Sequence, residues 1–246
     1  MSAGTAEPSV PYVTSDQMRE VDRLMIEEYG ILLLQMMENA GRHLAHLARR
    51  RFMDGDPVGK TVLVLSGTGG NGGGGLVSAR RLHSWGAHVT VYLSGPVSEL
   101  AEVPRHHFAI LERLGVETKV PNGEIALTEA DLILDALIGY SLRGDPIGNA
   151  AALIRAANLH RAPILALDVP SGVDSTAGVV HEPAMHATAT MTLALPKTGL
   201  CAKGARANTG ELYLADIGVP PQLYAEPALA LSVGPIFAHD DVVRLS

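Results

Sequence analysis

Two aspartates, Asp135 and Asp168, each follow a run of apolar residues that reads as a buried strand. A lone carboxylate at such an edge needs no further role than capping the next turn. Two at neighbouring strand ends, with Asn71 and Ser171 beside them, suit more. They offer hard oxygen donors for Na⁺, K⁺ or Mg²⁺ rather than zinc, and a carboxylate for proton transfer. The segment Ser66 to Gly75 adds seven glycines and one amide side chain, with no lysine and no carboxylate. It follows the apolar run Thr61 to Leu65 and precedes Leu76 to Leu82, which reads as a helix. Strand, glycine turn and helix start together let backbone N–H groups face an anion.

That loop matches GxGxxG over Gly67 to Gly72, but the second strand ends Leu93-Ser94-Gly95, without the acid that holds a dinucleotide ribose. A Walker A loop needs Gly-Lys-Ser/Thr, and Gly72 is followed by Gly73-Gly74. The plainer alternative is a turn that only lets helix and strand pack. Seven glycines exceed that need and favour a ligand loop.

The elements that must carry these residues follow from periodicity. Thr14 opens a helix with Gln17 at the capping-box position, and Met18, Val21, Met25 and Tyr29 recur at helical spacing. Gly30 breaks it. A second helix places Met36, Ala40, Leu44 and Leu47 on one face and ends at Asp54-Gly55-Asp56-Pro57. Within it, Glu38, Asn39 and Gly41 read as a polar side with one close helix contact. Expected strands are Thr61–Ser66, His88–Ser94, Val116–Val120, Leu132–Ala136, Ile164–Asp168, Thr188–Leu195 and Glu211–Ala215. Expected helices between them are Leu76–Trp85, Ser98–Leu114 and Gly148–Leu159. This alternation predicts an α/β fold with a mostly parallel sheet and helices on both faces. Ligands in such sheets bind beyond the carboxyl ends of the strands, where the unusual residues lie.

With 246 residues and 47% hydrophobic content the chain can bury a sizeable core, and one domain over 1–246 is expected, with 1–13 a disordered lead-in. The net charge of −7 argues against a broad nucleic-acid surface. A single cysteine, Cys201, precludes an internal disulfide and fits a reducing compartment. No apolar run reaches membrane-spanning length, and Met1 to Pro11 lacks the order of a signal peptide. The cytoplasm is the expected location. The ten histidines form no zinc-binding pattern. The segment Phe237 to Ser246 is left unassigned between strand and helix.

From Thr14 to about Tyr224 the chain resembles the NAD(P)H-hydrate epimerase family, also known as the YjeF N-terminal domain. The resemblance rests on Gln17-Met18-Arg19-Glu20-Val21-Asp22, Met37-Glu38-Asn39-Ala40-Gly41, Gly69 to Val77, Asp135-Ala136-Leu137-Ile138-Gly139, Asp168-Val169-Pro170-Ser171-Gly172, Pro196 to Leu200 and Ala215 to Pro220. It implies a Rossmann-like three-layer α/β/α fold with two N-terminal helices. It implies interconversion of the R and S forms of NADHX and NADPHX, bound K⁺, a homodimer and a separate dehydratase as pathway partner. Carried over by position, Asn71, Asp135 and Ser171 would hold K⁺. Gly70, Asn71, Gly72, Gly73 and Gly74, with Gly139, Tyr140, Ser141, Leu142, Arg143, Gly144, Asp145 and Asp168, would line the substrate site. Asp168 would protonate the leaving hydroxyl of the hydrate and activate the returning water. The chain departs from the family pattern at Gly70, usually asparagine, and at Gly74, usually aspartate. Asp145 and Asp174 are the candidate substitutes for that carboxylate. The alternatives are a weakened or inactive member that binds a nucleotide or protein, and an isomerase or dehydration enzyme for another small molecule.

Overall fold

The computed structural model describes residues 10–123 and 125–246. Its centre is an eight-stranded sheet in the order β3-β2-β1-β4-β5-β6-β7-β8. The strands are β1 Thr61–Ser66, β2 His88–Leu93, β3 Glu117–Lys119, β4 Leu132–Ala136, β5 Ile164–Leu167, β6 Ala189–Leu193, β7 Glu211–Ala215 and β8 Val242–Arg244. All pairings are parallel except β7 with β8, which is antiparallel. The last strand settles the unassigned C-terminal segment: Val242–Arg244 pairs with Tyr213–Ala215. The other seven strands lie where they were expected, shorter by up to three residues.

Alternation along β1 sorts the core into two layers, as a strand's period of two requires. Val62 and Val64 pack with Leu44, Leu76, Leu82, Phe108 and Leu111 on one face. Leu63 and Leu65 pack with Leu153 and Ile154 on the other. The first face carries α2 (Leu33–Phe52), α3 (Gly70–Ser84) and α4 (Glu102–Arg113), and the second carries α5 (Gly148–Leu159). Helix α1 (Ser15–Glu27) buries Met18, Val21, Leu24 and Met25, and Thr14 with Gln17 forms the expected capping box. The helix predicted over Ser98–Leu114 begins only at Glu102. Pro104 sits in its first turn, where a missing N–H is tolerated; an earlier start would put the ring against a helical carbonyl.

The expected lead-in is outside the described residues up to Ser9. It stops short of Val13, which is fully buried. Val13 N–H donates to Pro196 O at 2.9 Å, and Thr198 N–H donates to Val13 O at 3.0 Å. Among the described residues no helix is long and apolar enough to cross a membrane.

The glycine segment departs most from expectation. Helix α3 starts at Gly70, so Gly70 to Gly75 are helical rather than a turn before a helix at Leu76. Their bareness serves close approach. A Cβ on Gly75 would lie 2.6 Å from Ala136 Cβ, and one on Gly41 would lie 2.5 Å from Val77 Cβ and overlap Gly74 O. Helix α3 is thereby pressed between α2 and the sheet. Gly72, Gly73, Gly74 and Gly75 are all buried.

Candidate active site

The sheet reverses its direction of growth between β1 and β4, since β2 and β3 lie to one side of β1 and β4 onward to the other. A crevice opens beyond the strand ends at such a point. One cleft occupies it here. Gly70, Asn71 and Gly74 reach it from α3, Gly139, Tyr140 and Ser141 from the turn after β4, Asp168 from the end of β5 and Lys197 from beyond β6. Its outer wall comes from α1 and α2, through Met18, Asp22, Leu33, Met36, Met37 and Ala40, with Ile217. The lining is mostly apolar, so the few polar groups set its chemistry.

Asp168 has φ 67°, in the left-handed region that costs a non-glycine residue energy and that is frequent at functional sites. Its N–H donates to Met191 O at 2.7 Å, its Oδ2 accepts from Tyr140 N–H at 3.0 Å, and its Oδ1 accepts from Lys197 Nζ at 2.5 Å. Lys197 has no exposed surface; Leu193 O at 2.8 Å and Thr192 Oγ1 at 3.3 Å take its remaining donors. Its three protons are therefore engaged inside the protein. Sequence reasoning had Lys197 only as part of a signature. The signal for more was a lone cation directly after a buried strand.

Tyr140 also reaches the other wall: its hydroxyl donates to Asp22 Oδ2 at 2.5 Å. Burial pushes the Asp22 carboxyl above its ordinary range, against the hydrogen bond from Tyr140 and the charge of Lys197. Burial and the charge of Asp22 push the Tyr140 phenol well up. Asp22 had no assigned role in the sequence reading.

Asp135 and Ser171 sit beneath the cleft, both fully buried. Ser171 donates to Asp135 through its N–H at 2.8 Å and its hydroxyl at 2.6 Å, and Leu137 N–H adds a bond at 3.2 Å. Burial pushes Asp135 up to about 6 despite these donors. Among the described residues it has no lysine or arginine partner. Asn71 donates from Nδ2 to Leu167 O at 3.2 Å, tying the start of α3 to the end of β5.

Of the residues carried over by position, Gly70, Asn71, Gly74, Gly139, Tyr140, Ser141 and Asp168 line the cleft. Gly72 and Gly73 do not: they are buried by packing, Gly73 against Met37 and Pro104. Leu142, Arg143, Gly144 and Asp145 lead away from it, and Asp145 is an exposed partner of His181 at 2.9 Å. Asp174 caps its own turn, accepting from Thr176 and Ala177 N–H. Neither Asp145 nor Asp174 lines the cleft in place of a carboxylate at position 74; among the described residues the cleft carboxylates are Asp22 and Asp168.

A family model described as YjeF-related protein N-terminus matches residues 33–199. The NAD(P)H-hydrate epimerase of Dehalogenimonas lykanthroporepellens is 44% identical over 235 residues, covering 95% of this chain and 93% of that one. The bifunctional NAD(P)H-hydrate repair enzyme Nnr of Moorella thermoacetica is 36% identical over 220 residues, covering 87% of this chain and 41% of that one. The crystal structure of yeast ynu0 aligns with a TM-score of 0.81 at 25% identity, covering 96% of this chain and 100% of that one. With a model matching most of its length and relatives of such identity across nearly all of it, the chain belongs to the YjeF-related N-terminal family.

Proposed function

We propose that this chain is an isomerase, an NAD(P)H-hydrate epimerase, which interconverts the R and S forms of NADHX and NADPHX. The observation that carries this reading is the buried Asp168–Lys197 pair at the end of an apolar cleft. A charged pair without solvent is costly to bury, and a cleft that exposes its carboxylate to a ligand gives it a use. The 44% identity to a relative named for this activity gives the substrate class.

The hydrate bears a hydroxyl on the ring carbon beside nitrogen. Loss of that hydroxyl leaves a planar cation stabilised by the nitrogen lone pair, and water returning to the other face inverts the centre. The apolar wall of Met18, Met36, Met37 and Leu193 takes the ring and limits stray water. Asp168 exchanges a proton with the oxygen that leaves or returns. The N–H groups of Gly70 and Asn71, both at the cleft, precede the first intrahelical bond of α3, Gly73 N–H to Gly69 O at 3.1 Å, and so suit the pyrophosphate.

A monovalent cation fits beside this machinery. Asp135 is a buried carboxylate without a cationic partner among the described residues, and Ser171 and Asn71 add neutral oxygens. K⁺ held by Asn71, Asp135 and Ser171 would neutralise that charge and brace the ends of β4 and β5. We place the protein in the cytoplasm, as a homodimer, with a separate dehydratase acting on one of its two products.

Gly70 and Gly74 favour a second reading, a nucleotide-binding module without turnover, because α3 brings no carboxylate to the cleft. Purified R- and S-NADPHX, each incubated with the protein in K⁺ and in K⁺-free buffer, separate the two. Equilibration faster than the spontaneous process, lost in Asp168→Asn, is expected. Tight binding without turnover would sink the epimerase reading.

A further inference from the structure

Inversion by loss and return of water makes a demand that one carboxylate does not meet. Water leaves from one face of the planar cation and enters from the other, so protons must be handled on both faces. Asp168, fixed by Lys197 and by Tyr140 N–H, serves one. This argument rests on the function proposed above.

Asp22 is the other carboxylate of the cleft, and it stands on α1, a different wall from the β5 end that carries Asp168. Tyr140 sets the spacing between them. Its backbone N–H holds Asp168 Oδ2 at 3.0 Å and its hydroxyl holds Asp22 Oδ2 at 2.5 Å, so the two carboxylates lie at opposite ends of one tyrosine. Among the described residues Tyr140 is the one hydrogen-bond donor to Asp22, which leaves Asp22 Oδ1 for a ligand. We propose that Asp22 is the second proton-transfer group of this site, with Tyr140 as its positioning residue, and that Asp22 and Asp168 serve opposite faces of the nicotinamide ring.

For one epimer, Asp22 in its acid form gives its proton to the hydroxyl. The C–O bond breaks, the nitrogen lone pair forms C=N⁺, and water departs. A second water attacks the opposite face; its lone pair forms the new C–O bond, the C=N electrons return to nitrogen, and Asp168 accepts the released proton. The other epimer follows the reverse path, with Asp168 as donor and Asp22 as acceptor. One proton moves between the carboxylates per inversion and returns through solvent. Opposite surroundings equip the pair for this: burial and the negative charge of Asp168 favour neutral Asp22, opposed by Tyr140 and Lys197, while Lys197 lies directly on Asp168.

Epimerisation in H₂¹⁸O tests the division. The wild-type protein should place ¹⁸O in each newly formed epimer. Asp22→Asn should epimerise at least about 100-fold more slowly, yet still exchange ¹⁸O into the one epimer whose hydroxyl faces Asp168. Asp168→Asn should do the same for the opposite epimer. Tyr140→Phe should lose less activity and shift the Asp22 limb of the pH–rate profile upward, since a carboxylate acceptor has lost a donor. Wild-type rates in Asp22→Asn, loss of inversion together with exchange in both asparagine variants, or wild-type inversion without ¹⁸O uptake each overturn the inference alone. A wild-type protein that neither inverts nor exchanges either epimer overturns the proposed function with it.

Discussion

Lys197 Nζ lies 2.5 Å from Asp168 Oδ1, and the lysine has no exposed surface. The two residues are 29 positions apart in sequence and meet because β5 and β6 are adjacent parallel strands whose ends face one way. Removing one member of a buried pair strands the other charge, which costs about 3–5 kcal/mol, whereas removing both is far milder. Lys197→Met should therefore lower the unfolding free energy by about that amount. The double variant Lys197→Met/Asp168→Asn should recover most of it. Urea denaturation of the four proteins in a double-mutant cycle measures this, and additive losses would show that the pair does not interact.

A second prediction concerns the contact between α2 and α3. Replacing a helical glycine with alanine ordinarily gains about 1 kcal/mol. At Gly41 the new methyl would stand 2.5 Å from Val77 Cβ and overlap the backbone oxygen of Gly74. Backbone gives way poorly, so Gly41→Ala should destabilise the protein by about 1–3 kcal/mol. Gly204→Ala, in a turn with its nearest neighbour at 3.9 Å, is the control for a methyl that meets no obstruction. An unchanged denaturation midpoint in Gly41→Ala would mean that the two helices separate freely.

These two cases show what could be read from the chain and what could not. The capping box of Thr14 and Gln17, the buried stripe Met36, Ala40, Leu44 and the strand Thr61–Ser66 are local patterns, and local periodicity places them. The helical state of Gly70 to Gly75 opposes glycine's own preference; packing rather than propensity sets it, and at Gly72 to Gly75 a Cβ would collide with neighbouring atoms. Val242–Arg244 is three residues long and finds its state only through β7. Asp135 and Asp168 stood out as acids at the ends of apolar runs. Ser171 stood out with them, but Lys197 and Asp22 did not, because Lys197 lies 29 residues from Asp168 and Asp22 lies 118 residues from Tyr140, and only the folded sheet and α1 bring them together.

Stability should fall on mild acidification through two buried histidines. His43 on α2 and His107 on α4 are 3% and 2% exposed, and burial pushes each down to about 4. For His43 the charge of Arg42 adds to this, and for His107 Glu38 opposes it. A group whose folded pKa is depressed takes up a proton more readily when unfolded. Neutral His43 and His107 thus contribute stability that is complete above about pH 6.5 and lost as pH falls toward 4. Each unit of difference is worth about 1.4 kcal/mol, so the two together remove several kcal/mol across that window. Urea midpoints from pH 8 to 4.5 should decline mainly below 6.5. His107→Leu should flatten part of the decline, and a slope unchanged in both His107→Leu and His43→Leu would assign it to other groups.

Potassium should stabilise the folded chain whether or not substrate is present. Asp135 is fully buried, and its neighbours Ser171 and Leu137 donate hydrogen bonds without supplying a positive charge. A cation that binds the folded state beside it raises the unfolding free energy by mass action, by about 2.7 kcal/mol at a hundred times its dissociation constant. The melting temperature should rise with KCl and level off, and choline chloride at equal ionic strength should give a smaller rise without a plateau. Asp135→Asn removes the charge while keeping the shape, so its melting temperature should no longer distinguish the two salts. Equal responses to KCl and choline chloride in the wild-type protein would mean that Asn71, Asp135 and Ser171 hold no cation, and that hydrogen bonds alone keep this carboxylate in the core.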